Sequence, residues 1–353
     1  MSSSYGNKLK VQVFGQSHSP AIGVVIDGFP SGMKVDMEFL SAFMARRAPG
    51  QALSTPRKEA DEVEFLSGLN ASGETCGAPI CAIIRNTNTR SKDYSALAIT
   101  PRPSHSDYTS LIKYGDSRDI RGGGQFSGRL TAPLCIAGAL CLQFLAEKGV
   151  KIGAHISSVL NIHDDRYDLV NDEIPNNVRG FSCINAEKAE QIKSVIESAR
   201  MNLDSVGGCV EAKIVGLGAG LGDPMFDGVE NRLAQIMFAI PAVKGFEVGA
   251  GFEVASKYGS ENNDPLCVID GKVKTVTNNA GGINGGITNS MPIVFRVAFK
   301  PTPSIAKPQQ SVNLKEMKEE FLEITGRHDP CIVVRAVPVV EACSAIAVLD
   351  MML

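Results

Sequence analysis

Two Ser-His-Ser tripeptides, Ser17-His18-Ser19 and Ser104-His105-Ser106, are the residues of this chain best suited to proton chemistry. Only five histidines occur in 353 residues, and these two sit in similar polar wrappers. Gly15-Gln16 precedes the first and Pro20 follows it; Arg102-Pro103 precedes the second and Asp107-Tyr108 follows it. Such wrappers read as loops, which commonly carry catalytic groups on a rigid scaffold. Histidine is the side chain whose ordinary charge change falls near neutrality. Two of them in polar loops suggest an acid–base pair. His155, in an apolar strand, and His163, in a polar turn, read as structural and lack metal-ligand spacing.

A second chemistry is anion binding. Arg121-Gly122-Gly123-Gly124-Gln125-Phe126-Ser127-Gly128-Arg129 runs directly into an apolar helix expected to begin near Thr131. Glycine-rich backbone ahead of a helix can aim several N–H groups at one anion, and bracketing arginines can add bidentate contacts. A tight turn with two solvated arginines is the competing reading, because the spacing is neither a Walker loop nor a dinucleotide fingerprint. The glycine cluster at 280–287 implies close backbone approach, either to a planar cofactor or at a sheet crossing or bulge. A third run, 216–222, reads as a loop. Arginines gather around these loops at 46, 47, 102, 118, 121, 129, 327 and 335, a local excess suited to focusing a small anionic ligand in a cleft. Near the C-terminus, Gly326-Arg327-His328-Asp329-Pro330 could hold an anion and supply a base, and Lys300-Pro301-Thr302-Pro303-Ser304 adds a lysine and hydroxyls on a segment that cannot be helical.

The elements that position these groups are mixed. Strand-like runs rich in β-branched residues fall at 9–14, 22–26, 79–84, 210–215, 246–248 and 293–298. Three amphipathic helices are expected, capped by Asn185, by Asp227 with Glu230, and by Asn313 with Glu316; Gly326 would close the last. The segment 132–146 is too short for a membrane span and reads as a buried helix. The class is α with β, and periodicity says no more about topology. At 44% hydrophobic and 21% charged the chain suits a globular protein, and a net charge of −3 gives no nucleic-acid footprint. The N-terminal residues lack the apolar stretch of a signal peptide. Nine scattered cysteines without a Cys-x-x-Cys argue for buried free thiols in a reducing, cytoplasmic compartment and against a zinc site.

Taken together these segments resemble chorismate synthase. Gly15-Gln16-Ser17-His18-Ser19 followed by Gly23-Val24-Val25-Ile26-Asp27-Gly28-Phe29-Pro30 is similar to that family's N-terminal signature, Arg121 to Arg129 to its central one, and Arg327-His328-Asp329-Pro330 onward to Glu341-Ala342 to its C-terminal one. Asp204-Ser205-Val206-Gly207-Gly208, Pro241-Ala242-Val243-Lys244-Gly245 and the 281–286 glycines match in order between them. The resemblance implies a β-α-β sandwich of the α/β (α+β) class, with a single domain over 1–353 and a homotetrameric assembly. It implies an anti 1,4-elimination of phosphate from 5-enolpyruvylshikimate 3-phosphate that yields chorismate and needs reduced FMN.

The resemblance also implies roles. His18 would protonate the departing phosphate, His105 would help set the protonation state of the reduced flavin, and Asp329, working with flavin N5, would remove the C6 proton. Arg46, Arg47 and Arg129 fall at substrate or NADP positions. Gln125, Phe126, Ser127, Pro241, Ala242, Gly285, Lys300, Pro301, Thr302, Pro303, Ser304 and Arg327 fall on FMN-contacting positions. The chain departs from the family pattern at Gln16, Ser19, Ser104, Ser106, Gln125, Phe126, Gly128, Leu53 and Ser290. Gln125 stands in place of an arginine, and Leu53 lies where many members carry another. Each lost charge-assisted hydrogen bond would cost about 1.5–3 kcal/mol. The alternative expectation is a drifted or non-catalytic FMN- or anion-binding relative. With no reductase domain visible, flavin reduction is expected from an external reductase, and neither nucleic acid nor membrane is expected as a partner.

Overall fold

The computed structural model describes residues 3–50, 53, 61–86, 96–175, 181–324 and 329–353. Its first sheet contains β1 (Ser4–Tyr5), β2 (Lys10–Gly15), β3 (Ala21–Asp27), β4 (Glu64–Ser67) and β5 (Ile80–Arg85), in the antiparallel order β1-β2-β3-β5-β4. Alternation decides which face is buried: Ile22, Val24 and Ile26 lie opposite Ile84, Ala82 and Ile80, and all six are essentially inaccessible to solvent. That face packs on a helical layer formed by α1 (Met37–Arg47) and α3 (Thr131–Glu147), while α2 (Asp107–Tyr114) follows β5 in the chain.

A second antiparallel sheet closes the other side of the helices. It contains β6 (Lys151–Val159), β7 (Ile162–His163), β8 (Gly208–Val215) and β9 (Val243–Val248), with α4 (Ala186–Met201) packed against β6 and β7 and α5 (Val229–Ala239) leading into β9. Beyond the short α6 (Gly259–Asn262) come two hairpins, β10 (Leu266–Ile269) with β11 (Lys272–Thr275) and β12 (Ile283–Asn284) with β13 (Ile287–Thr288). The interior strand β14 (Ile293–Phe299), between β8 and β9, then completes the order β7-β6-β8-β14-β9. The hairpin β15 (Gln309–Asn313) with β16 (Lys318–Leu322) precedes the final helix α7 (Val333–Met352). One apolar core runs through sheet, helices and sheet, so the architecture is a β-α-β sandwich of the α+β class.

The middle layer is held by close helix packing. A Cβ placed on Gly138 of α3 would lie 2.2 Å from the Cβ of Ala342 on α7, so only glycine lets the two helices cross there. Both helices are mostly buried and predominantly apolar because both are interior. Gly128–Glu147 is long and apolar enough to cross a membrane, yet most of it is buried within the protein. Asp350 of α7 accepts hydrogen bonds from the N–H groups of Asn7, Lys8 and Leu9 and pairs with Arg232, tying the N-terminus to the last helix.

The six β-branched runs fall on β2, β3, β5, β8, β9 and β14, and Asn185 caps α4 as expected, accepting from the N–H groups of Glu187 and Lys188. Two other expectations are corrected. Gly228, not Asp227, occupies the N-cap of α5, and Asp227 instead faces Arg232 at 3.6 Å. The segment after Asn313 is not a helix. Asn313 accepts from the N–H groups of Lys315 and Glu316, as a helix cap would, but Met317 takes a left-handed φ of 52° and the chain reverses into β16. Met317 and Phe321, which periodicity placed on a core face, are exposed, while Leu322 and Ile324 join Leu97 in a separate small core.

Candidate active site

The termini of several elements converge on a cavity of about 570 Å³, within the usual range of small-molecule sites. Arg47 ends α1, Arg129 and Thr131 open α3, and Ile332 and Arg335 open α7; the α5–β9 connection and the segment after β14 close the wall. Among the described residues, six cationic side chains line it, Arg47, Arg102, Arg129, Lys244, Lys300 and Arg335, against one lining carboxylate, Asp329. A cavity so lined concentrates field on an anion.

His105 lines this cavity and His18 sits beside Ser17 and Gly122, which do, and the glycine turn explains how. Gly122 and Gly123 adopt φ of 59° and 82°, the left-handed region that glycine enters without strain. A Cβ on Gly122 would sit 2.4 Å from His18 Cε1, and one on Gly123 would lie 3.4 Å from His105 Cε1. The two imidazoles therefore flank adjacent glycines although 87 positions separate them in the chain. His18 is buried, its Nδ1 3.2 Å from Ser17 Oγ. His105 Nδ1 lies 2.6 Å from Asp107 Oδ1. Burial opposes ionisation of Asp107, but hydrogen bonds from Arg102 and His105 outweigh it and hold the carboxyl well below its ordinary range.

Opposite the histidines is a guanidinium cluster. Arg47 donates to Asp61 Oδ2 at 3.0 Å, to Thr131 Oγ1 at 3.1 Å and to the Gly128 carbonyl at 2.9 Å. Arg129 pairs with the other oxygen of Asp61 and donates to Asn86 Oδ1 at 3.2 Å. Arg335 donates to Asp329 Oδ2 at 2.7 Å and to the carbonyl of Arg47 at 3.0 Å. Burial, reinforced by Arg335 and Arg129 and opposed by Asp61, pushes Arg47 down to about 10. It remains charged at neutral pH, and an incoming anion would relieve the crowding of like charges.

A third wall carries Lys244, Lys300, Thr302, Pro303 and Ser304. Burial and then repulsion from Lys244 depress Lys300 below the ordinary lysine value. Ser304 accepts from Arg102 at 3.0 Å, and the buried Thr302 hydroxyl has no protein partner. Phe126, Phe238, Ile332 and Val339 add apolar surface. Paired lysines, an unpartnered buried hydroxyl and an apolar wall fit a flat ring bearing a phosphate, so these residues fit a flavin mononucleotide.

Gln125, Phe126, Ser127, Pro241, Ala242, Arg47, Arg129 and Asp329 all line the cavity. Others do not. Arg46, adjacent to Arg47, turns away and forms a two-pronged pair with Glu341 at 2.6 and 2.9 Å. Arg121 pairs with Asp119 outside the cavity lining. Gly285 and Gly286 form the two-residue turn of the β12–β13 hairpin with φ of 62° and 84°. Gly286 packs on the backbone of Asp223 and Gly228, while a Cβ on Gly285 would meet nothing within 4 Å. Pro301 packs on Gly207 behind the wall. Arg327 and His328 lie outside the described residues. Asp61, Asp107 and Lys244 escaped sequence reasoning; only Asp107, two positions from His105, carried a local signal.

The site thus defines a class: an enzyme that binds a small polyanion beside two histidines and a carboxylate. Comparison makes it specific. The chorismate synthase family profile matches residues 9–353. Relatives with that name from Lancefieldella parvula and Cytophaga hutchinsonii are 43% and 45% identical, each over 99% of this chain and 96% and 97% of their own. A crystal structure of chorismate synthase superposes with a TM-score of 0.75 at 28% identity, covering 99% of this chain and 92% of the other. The chain belongs to the chorismate synthase family.

Proposed function

We propose that this chain makes chorismate as a carbon–oxygen lyase, by anti 1,4-elimination of phosphate from 5-enolpyruvylshikimate 3-phosphate. The substrate carries a phosphate and two carboxylates, and the six-cation lining is the observation that carries this reading. Arg47, Arg129 and Arg335 would hold its anionic groups. His18, fixed over Gly122, would donate a proton to the phosphate as the carbon–oxygen bond breaks, because an uncompensated trianion leaves poorly. Asp329, oriented by Arg335, would take the proton from C6. Preorganised charge of this kind acts strongly where water is excluded.

FMN is the flavin expected, held by Lys300, Thr302, Pro303 and Ser304 with Gln125, Phe126 and Ser127, and used in its reduced form. When bound it supplies an electron-rich partner to a reaction that is redox-neutral overall. We further propose a single domain over 1–353, a homotetramer, a cytoplasmic location and reduction of the flavin by an external reductase. Gln125 leaves the flavin phosphate more dependent on Lys244 and Lys300 than an arginine there would.

Anaerobic assay with photoreduced FMN should release chorismate and phosphate in equal amounts, and oxidised FMN should give none. No chorismate with photoreduced flavin would overturn the reading. Turnover with NADPH as sole reductant would overturn the external-reductase proposal alone.

A further inference from the structure

We infer that Asp107 is a positioning residue for His105, holding the ring as the Nδ1–H tautomer so that an unprotonated Nε2 faces the cavity. The inference rests on the proposed function for its catalytic consequence, but its geometry stands separately. Three polar groups surround Nδ1: Asp107 Oδ1 at 2.6 Å, Arg102 NH2 at 3.1 Å and Ser106 Oγ at 3.4 Å. The shortest contact decides the proton. A lone pair on Nδ1 facing a carboxylate oxygen at that distance would be repulsive, whereas a protonated Nδ1 is attracted to it as a close ion-pair contact. Arg102 does not need Nδ1 as an acceptor. Its Nε and NH2 donate to the two oxygens of Asp107 at 2.7 and 2.8 Å, and its NH1 donates to Ser304 Oγ.

The other nitrogen has no such partner. Among the described residues no protein group hydrogen-bonds to Nε2, which lies beside Gly123 on the cavity wall. His105 therefore meets a ligand as a hydrogen-bond acceptor, and Asp107 sits ready to balance the charge if Nε2 takes a proton. The same cluster reaches a second segment, because Arg102 joins the His105 loop to Ser304. Orientation of the histidine and placement of the 300–304 segment thus share one carboxylate. An aspartate in this relation to a histidine acts mainly by fixing tautomer and ring orientation, and its loss can cost up to about 10⁴ in turnover.

The experiment reads the tautomer directly. Solid-state NMR of histidine-labelled full-length enzyme, at a pH where the imidazoles are neutral, should show Nδ1–H for His105, assigned by its absence in His105→Gln. Finding Nε2–H would overturn the inference. In Asp107→Leu, Arg102 is left to donate to Nδ1, so the signal should switch to Nε2–H and kcat should fall at least 100-fold with substrate KM changed less than threefold. Asp107→Asn can turn its NH2 to Nδ1 and should likewise shift the signal toward Nε2–H, whereas Asp107→Glu keeps a carboxylate acceptor and should restore Nδ1–H. An Asp107→Leu enzyme with unchanged tautomer and turnover would refute the role; if that variant fails to fold, the wild-type spectrum decides alone. Nδ1–H in a wild-type enzyme that makes no chorismate would uphold the Asp107 assignment and defeat only the functional reading.

Discussion

Arg47 and Arg129 hold opposite oxygens of one buried carboxylate, that of Asp61. Both guanidiniums line the cavity beside that one aspartate, and Arg335, paired with Asp329, lies next to them. The arrangement presents cations in fixed positions before any ligand arrives, which reduces the ordering that binding must impose.

Removing the shared carboxylate should therefore hurt both fold and binding. Asp61→Ala removes the buried carboxylate that Arg47 and Arg129 share, and breaking such a buried pair costs about 3–5 kcal/mol. Urea unfolding should show a loss of that order. Arg47→Ala should raise the substrate dissociation constant by about tenfold or more through loss of a charge-assisted contact. An unchanged constant, measured by calorimetry, would contradict its assignment.

His18→Ala and His105→Ala should each depress kcat by about 10²–10⁴ with much smaller changes in substrate binding. Steady-state and equilibrium measurements on the same preparations separate the two. Equal losses in turnover and affinity would reduce both histidines to structural roles.

Gly122→Ala tests the turn that joins them. The new methyl meets His18 and Ser17, and the left-handed φ adds about 1–2 kcal/mol of strain. We expect turnover to fall by more than tenfold in a protein that still folds, as judged by circular dichroism. Full activity would mean that His18 need not be held where the turn holds it.

Arg46 and Arg47 are neighbours with different predicted phenotypes. Arg46 pairs with Glu341 while remaining 40% exposed in its side chain, so Arg46→Ala should cost about 1–2 kcal/mol of stability and leave substrate affinity within about twofold. A large affinity loss would return Arg46 to the site.

Lys300 and Lys244 set a pH dependence. Because burial and Lys244 hold Lys300 below the ordinary lysine value, its charge, and the anion affinity that depends on it, are present at neutral pH and lost as pH rises through that lowered value. Lys244→Met removes the repulsion, so FMN binding should weaken at neutral pH while its alkaline limb moves upward. Fluorescence titration across the alkaline range measures both. A downward movement of the limb would be the wrong sign.

Much of the scaffold was legible from local pattern. The alternating Ile22, Val24 and Ile26 announced a strand with one buried face, and Asn185 announced the start of α4. Interior helices were harder: α7 is mostly buried and predominantly apolar, so no periodicity distinguishes it from a buried strand until its neighbours are known. The stretch after Asn313 imitated a capped helix because an asparagine that accepts from the next two or three N–H groups looks the same at a helix start and in a turn. Only the left-handed φ at Met317 and the exposure of Phe321 separate the two. The glycines at 285 and 286 likewise signalled an unusual backbone without saying whether a ligand or another strand required it.

By itself the sequence determined the chemistry on offer: two histidines in polar loops, a glycine turn ahead of an apolar helix, and more arginines around those loops than an acidic chain requires. The tertiary structure decided which of these act together. It drew His18 and His105 to adjacent glycines, turned Arg46 away from the cavity while keeping Arg47 in it, and supplied Asp61, which no local pattern distinguished from a surface acid, along with Asp107 beside His105. The reason is physical. Charge and hydrogen bonding act over a few ångströms of space, and only the packing of the two sheets around their shared helices brings groups tens of residues apart within that reach.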